Sequence, residues 1–280
     1  MQLFKNRNLS VIKTLAVYYL SVIVFYTISR LIFVVLNFDY LSPVSFKNFL
    51  EIIFFGFRFD LVAISVINAS IGILILLPFK FHQKPLFNKV LKIIFIISNI
   101  FGLVFNFIDI IYFRFTYKRT TADIFNYLGV GGDFNKLIPQ FVKDFWYVII
   151  IFILLLIVFI KFIISYSLVY KSGLSIKRKA LNIVYLFVFI GLSILGIRGG
   201  MQMKPLDIID AGRYVESRHI SAVLNTPFTI IKTIGLPVLK KVNYFDDESE
   251  LNKVLNTVKY YNSENRTSFK SLNVVIIILE

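Results

Sequence analysis

The chain has no cysteine and two histidines, His82 and His219, far apart in sequence. Thiolate chemistry is therefore excluded, and no His/Cys set has the spacing of a metal site. Gly129-Val130-Gly131-Gly132 follows no predicted strand and leads to no Gly-Lys-Ser/Thr, so it reads as a flexible loop rather than a phosphate cradle. What stands out is charge in apolar surroundings. Arg30, Arg58, Asp60 and Asp109 each lie in a long apolar run. A charge at the centre of a membrane helix costs roughly 2.5–3.5 kcal/mol or more, so such residues need partners or a function. Arg58 and Asp60 are two apart and point to different sides of one helix. Cross-helix pairs such as Arg58–Asp109 or Arg30–Asp60 follow as expectations. Two chemistries are open. The charges form ion pairs that lock helices together, or, with Arg114, Lys118, Arg119 and Arg198, they line a basic pocket for a phospholipid head group, which the planar guanidinium suits.

The elements that must hold them are read from composition. Of 280 residues, 57% are hydrophobic, with 31 Phe and 15 Tyr. An average soluble domain is about 45–50% apolar even when glycine is counted, so a soluble, disordered or collagen-like chain is excluded. The net charge is +15, yet charged residues make up only 17% and are spread between apolar runs. Nucleic-acid binders cluster their Lys and Arg on a polar domain, so nucleic acid is excluded as a partner and the lipid bilayer takes its place. Crossing the hydrocarbon takes ~20 helical residues. Five segments qualify: Leu15–Leu36, Phe54–Phe79, Val90–Phe113, Phe145–Ile164 and Ala180–Ile197. The second has a possible earlier start near Phe49, which would leave it tilted or partly interfacial. The first run is too long, holds Arg30 and lacks a small-residue cleavage site, so it reads as an uncleaved helix.

Lys and Arg in short loops set orientation. Lys5, Arg7 and Lys13 precede the first span, Lys80, Lys84 and Lys89 lie between the second and third, and five basic residues from Lys161 to Lys179 join the last two. All three sets fall on one side, expected to be cytoplasmic. Arg114–Asp144, which is also basic, dissents, and the other placements outweigh it. The N-terminus is then inside, the tail after Arg198 outside, and all four charges lie toward the outer leaflet.

After Gly200 the composition changes. Met201–Val242 carries Pro205, Pro227 and Pro237, and Thr229–Ile234 reads as a juxtamembrane or interfacial helix. Asp246–Tyr261 has helical spacing, and Asn262–Ser271 is a polar loop. Leu272–Leu279 is a β-branched run that reads as a strand buried on both faces, as in an α/β domain. A lone strand leaves its backbone unpaired, so the expectation is the first strand of a domain otherwise absent; an apolar tail lying on the membrane is the alternative. The organisation expected is a five-helix transmembrane domain at 1–200, an extracytoplasmic linker of short helices at 201–271, and the start of a catalytic domain at 272–280.

Gly56-Phe57-Arg58-Phe59-Asp60-Leu61 opens the second span, Asn106, Asp109, Tyr112 and Phe113 close the third, Arg198-Gly199-Gly200 follows the fifth, Asn225-Thr226-Pro227-Phe228 sits in the linker, and Asn273–Glu280 ends the chain. In this order and topology the chain resembles the N-terminal half of a lipoteichoic-acid synthase-like protein of the sulfatase/alkaline-phosphatase superfamily. That resemblance implies a bacterial plasma-membrane enzyme with five membrane helices and an extracytoplasmic catalytic domain. It implies Mn or Mg as cofactor, with Glu280 as a metal ligand; taken alone, without the resemblance, Glu280 reads as a solvated terminal residue. It implies a threonine nucleophile further along, so no catalytic residue is expected within these 280 residues, and transfer of a phosphoglycerol- or phosphoethanolamine-type head group from an anionic phospholipid, or hydrolysis of a sulfate ester. The rival reading is a non-enzymatic scaffold or transporter subunit.

Overall fold

In a computed structural model of the chain, residues 7–77, 84–127, 134–169, 176–236, 244–245 and 247–255 are described. They divide into two units, Met1–Leu236 and Pro237–Glu280. The first is a bundle of five helices, each long and apolar enough to cross a membrane: α1 (Val11–Leu36), α2 (Phe46–Leu76), α3 (Pro85–Thr116), α4 (Trp146–Ile164) and α5 (Ile176–Arg198). This is the architecture of a multi-pass membrane protein. In the second unit, Glu248–Val254 is a short helix capped by Asp247, whose side chain accepts from Glu250 N at 3.1 Å. Leu272–Glu280, with its expected strand and Glu280, Asn262–Ser271, the Gly129–Gly132 loop and His82 lie outside the described residues.

Four of the five helices, all but α4, are longer than their apolar cores suggest. At about 1.5 Å per residue, the 31 residues of α2 make a rod of about 46 Å, against a hydrocarbon core of about 30 Å. The overhang begins at Ser45, which caps the helix: its Oγ accepts from Asn48 N at 3.1 Å, while Asn48 Oδ1 accepts from Ser45 N at 3.1 Å. At the other boundaries Pro85 opens α3, where no intrahelical N–H is needed. Tyr117, with φ 54°, closes it in the left-handed region.

Between lipid-facing helices there is little hydrophobic driving force, so close packing and interhelical hydrogen bonds carry the assembly. α2 is the most enclosed helix and α5 the least. α5 lies along α2, where Gly72 takes the ring of Phe189 and Gly196 takes the hydroxyl of Ser65; a Cβ at either glycine would collide. α2 and α3 are joined inside the bundle by a reciprocal amide pair. Asn68 Nδ2 donates to Asn99 Oδ1 at 3.0 Å, and Asn99 Nδ2 donates back at 2.8 Å. Each amide also donates to the carbonyl one turn earlier, Ile64 O and Phe95 O.

At the end holding the start of α1, two four-residue segments pair in parallel, Arg7–Ser10 with Tyr166–Val169. Lys92, a charge inside α3 that the sequence reading did not single out, donates from Nζ to Tyr166 O at 2.6 Å, and Tyr18 Oη donates to the same oxygen at 3.2 Å. A cation is thereby set at the C-terminus of α4, where the helix dipole favours it.

The amide pair gives a first prediction. Asn99→Leu should leave the Asn68 carboxamide with an unmet partner and destabilise the bundle by about 1–2 kcal/mol. Asn68→Leu with Asn99→Leu should cost less than the two single changes summed, read from denaturation in detergent. Strict additivity would show that the pair carries no coupling.

Candidate functional site

The structure gathers its charged residues at the opposite end of the bundle, where residues 199–236 fold back into it. The return starts at a tight turn. Gly199 (φ +74°) and Gly200 (φ +139°) adopt backbone that favours glycine, and a Cβ on Gly199 would sit 2.7 Å from Leu206 Cβ. Arg58, from α2, holds the turn: Nε and Nη2 donate to Gly199 O at 3.2 and 2.9 Å, Nη2 to Gln202 Oε1 at 3.2 Å, and Nη1 to Tyr214 Oη at 2.8 Å. Arg198 donates to Gln202 O and Met203 O at 2.8 and 2.7 Å. The chain then passes through short turns at Ile208–Arg213 and Ser217–His219 and a single helical turn at Ile220–Val223. It ends in α6 (Thr226–Thr233), which packs on α2 and α3. Asn225 caps α6, its Oδ1 accepting from Phe228 N at 2.8 Å, with Pro227 in the first turn.

Two buried charge centres clamp this segment. In the first, Arg30 of α1 crosses α2 at Gly56, where an added Cβ would lie 2.5 Å from the guanidinium carbon. Its Nη2 pairs with Asp60 Oδ1 at 2.5 Å and donates to Gly56 O at 3.0 Å. Its Nη1 points the other way and meets three successive linker carbonyls, Ala222 O at 2.5 Å, Val223 O, and Leu224 O at 3.3 Å. Those carbonyls end a helical turn, so the cation faces the negative end of the backbone dipoles. Asp60 Oδ1 also accepts from Asn225 Nδ2 at 2.8 Å.

The second centre is Asp109 of α3. Its Oδ2 accepts from Thr120 N at 2.9 Å and Thr226 Oγ1 at 2.6 Å, and its Oδ1 accepts from Thr120 Oγ1. Arg119 stands 3.9 Å away, donates from Nε to Ser221 O at 2.7 Å, and lies 3.6 Å over the ring of Phe33. Burial pulls the Arg119 guanidinium down to about 10, opposed by the Asp109 carboxylate. Its charge is still in place near neutral pH. Asn106, one turn before Asp109, accepts from Thr226 N at 3.0 Å, and Thr229 Oγ1 donates to Thr120 O at 2.6 Å.

Arg30 and Asp60 are thus paired. Arg58 and Asp109 are not: Asp109 has Arg119 and two threonines as partners, while Arg58 holds the Gly199–Gln202 turn and Tyr214. The reason is that depth along a helix says nothing about which way a side chain faces, and the linker supplies partners that no span does. The stretch Thr229–Ile234 falls largely in α6, whose Thr226, Pro227, Phe228, Thr229 and Ile230 are buried against the bundle while Ile234 beyond it is exposed. Arg30 and Arg119 are buried, and both turn their guanidinium groups to carboxylates and linker carbonyls inside the bundle rather than to its surface. Arg114 donates to Leu36 O at 2.7 Å and Asn37 Oδ1 at 3.3 Å. Near Lys118 there is a crevice of about 20 Å³ between Tyr112, Lys118, Thr120, Thr121, Asp123 and Ile124, the volume of a single water rather than a lipid phosphate. Among the described residues no group of three His, Cys, Asp or Glu is placed to hold a metal, and the hydroxyls that meet the Asp109 carboxylate, those of Thr120 and Thr226, are buried with it inside the bundle. Chemically, the arrangement is a lock.

Sequence reasoning passed over Thr120 and Ser221, and it quoted Asn106 for the family resemblance without a role in binding the linker. For Asn225, the Asn-Thr-Pro-Phe order does carry a helix-start signal.

No protein-family model, curated protein or solved structure matches the chain.

The lock has a measurable strength. Removing one partner of a buried ion pair costs about 3–5 kcal/mol, because the other charge is left uncompensated. Asp60→Ala and Asp109→Ala should each free the linker and speed tryptic cleavage after the half-exposed Arg218 by tenfold or more, since ~1.4 kcal/mol corresponds to a factor of ten. Arg213→Ala, which removes only a surface pair, should leave that rate within about twofold.

Proposed function

We propose that this chain is the membrane module of a metal-dependent enzyme of the sulfatase/alkaline-phosphatase superfamily, of the lipoteichoic-acid synthase-like kind. It works in a bacterial plasma membrane, with the N-terminus cytoplasmic and the linker extracytoplasmic. The observation that supports this reading best is the insertion of residues 205–233 into the bundle. A linker locked by two charge centres gives whatever follows it a fixed point of departure at the membrane surface, as a reactor working on lipid head groups requires. Two segments that carry the resemblance, Gly56–Leu61 and Asn225–Phe228, fall on the lock itself.

On this reading the domain opened by Leu272–Glu280 carries a threonine that attacks a phosphodiester of phosphatidylglycerol or phosphatidylethanolamine. The phosphoglycerol- or phosphoethanolamine-type group passes to an envelope glycan or lipid; a sulfate ester is the corresponding substrate for a hydrolase. Mn or Mg would supply Lewis-acid stabilisation of the transferring group. Glu280 is the one ligand proposed within these residues, and a single carboxylate holds such an ion weakly. The bundle's part is to anchor and to orient.

Two measurements test this. Alkaline phosphatase fused after Leu236 should be active and the same enzyme fused after Ser175 inactive; the reverse pattern would overturn both the orientation and the enzyme reading. A protein continuing from this module into the following domain should release diacylglycerol from phosphatidylglycerol or phosphatidylethanolamine with Mn²⁺ or Mg²⁺, and lose that activity with Glu280→Ala. The 280 residues alone should release none. Absence of turnover from the longer protein on these lipids and on sulfate esters would favour the scaffold or transporter subunit.

A further inference from the structure

At the Arg30–Asp60 centre, four buried polar groups have no hydrogen-bond partner among the described residues: Arg30 Nε, Tyr26 Oη, Asp60 Oδ2 and Asn106 Nδ2. Arg30 Nε is pressed against Gly56, where an added Cβ would lie 2.6 Å from it, which leaves the other three to be met. Their residues are at most 4% exposed. They converge. Tyr26 lies one turn before Arg30 on α1, and Arg30 holds Asp60. The Tyr26 hydroxyl presses on Gly102 of α3, where a Cβ would collide with it and would also meet Pro227 Cγ at 3.5 Å. Asn106 is one turn beyond Gly102 on the same face. Asn225 and Thr226, adjacent in sequence, bond Asp60 and Asn106 respectively, which brings those two side chains to the same short stretch of linker. The Asn106 amide is oriented, because its oxygen already accepts from Thr226 N and its nitrogen is left over to donate.

A buried polar atom without a partner costs ~1–3 kcal/mol, and such atoms in folded proteins are normally satisfied by protein or by ordered water. The chemistry of the three groups selects the ligand. One is a carboxylate oxygen, which only accepts. One is an amide N–H, which only donates. One is a hydroxyl, which does either. A cation is disfavoured by the Arg30 guanidinium and the amide N–H, and an anion by Asp60. A neutral molecule with two donors and two acceptors fits all three.

We infer that Tyr26, Asp60 and Asn106 form an internal water site between α1, α2, α3 and the linker, holding a water molecule that donates to Asp60 Oδ2, accepts from Asn106 Nδ2 and exchanges a hydrogen bond with Tyr26 Oη. Three hydrogen bonds is the usual complement of a buried water. The water completes the lock by joining α1 to α3 on the side of Asp60 that Arg30 does not reach.

Hydroxyl-radical footprinting of the whole 280-residue chain in detergent micelles tests the site, because radiolysis of a bound water labels the side chain beside it even where bulk solvent is excluded. Phe59 and Phe228 pack on each other at 5.0 Å, both fully buried beside the same centre, and report any opening of the linker. Tyr26, normalised for intrinsic reactivity, should be labelled several-fold faster than Phe59 and Phe228. Asn106→Leu should bring Tyr26 labelling down toward theirs. Labelling of Tyr26 no faster than that of Phe59 overturns the site, and so does labelling of Tyr26 and Phe228 together in the unmodified chain, which would show solvent entering by opening. The wild-type comparison decides even if Asn106→Leu fails to fold.

Discussion

A charge placed in an apolar bundle must be met by an opposite charge and by hydrogen bonds on its remaining lone pairs or protons, or it destabilises the structure it sits in. That constraint organises this chain. Asp60 and Asp109 are not satisfied by the helices around them alone. Each takes an arginine, and each then takes a donor from the Asn225-Thr226 step. Arg30 and Arg119 in turn reach linker carbonyls as well as their carboxylates. The four charges sum to zero, yet the neutralised set is hydrogen-bonded only when the linker is in place. The linker is therefore part of the membrane fold. Its hydrophobic contribution is smaller: Pro227 and Phe228 fill the space that Gly102 and Phe59 leave.

Small residues do the complementary work. Gly56 lets a guanidinium lie across α2, Gly102 admits a tyrosine hydroxyl, and Gly72 and Gly196 seat α5 against α2. Each is a point where backbone must be approached closely, the condition under which membrane helices use glycine. The last helix, enclosed least, is fixed along one neighbour by these notches, and Arg58 fixes the turn that leaves it. The turn into the linker is thus held from α2, the most enclosed helix, and the linker's far end from α1, α2 and α3 together.

How much of this was legible in the sequence follows from what sequence patterns encode. Long apolar runs give the five helices and their order, because the bilayer sets their minimum length. Their polar overhangs were less visible. Ser45 and Asn48 cap α2 well before its apolar core begins, and Pro85 opens α3 five residues before Val90. That Arg30, Arg58, Asp60 and Asp109 would need partners was legible from their burial in apolar runs. The partner of Asp109 was not, because its threonines and Arg119 come from a loop and a linker whose path no periodicity records. Thr229–Ile234 reads as interfacial since a short apolar stretch with Lys232 fits a membrane surface; that its helix also binds inward, through Thr226 to Asp109 and Thr229 to Thr120 O, has no signal in the pattern. Asn68 and Asn99, thirty-one residues apart, carry no local signal of facing each other.

The three linker carbonyls gathered by Arg30 also set an order in time. Thr226 lies 117 residues downstream of Asp109. At a synthesis rate of about 5–20 residues per second, the carboxylate is made roughly 6–23 s before its hydroxyl partner exists. During that interval Asp60 has Arg30, and Asp109 has Arg119 and Thr120, but neither carboxylate has its donor from the linker. The set is fully bonded only after the fifth helix and the linker have been made. Vectorial synthesis thus turns a packing detail into a checkpoint, at which the bundle is finished by the last segment to arrive.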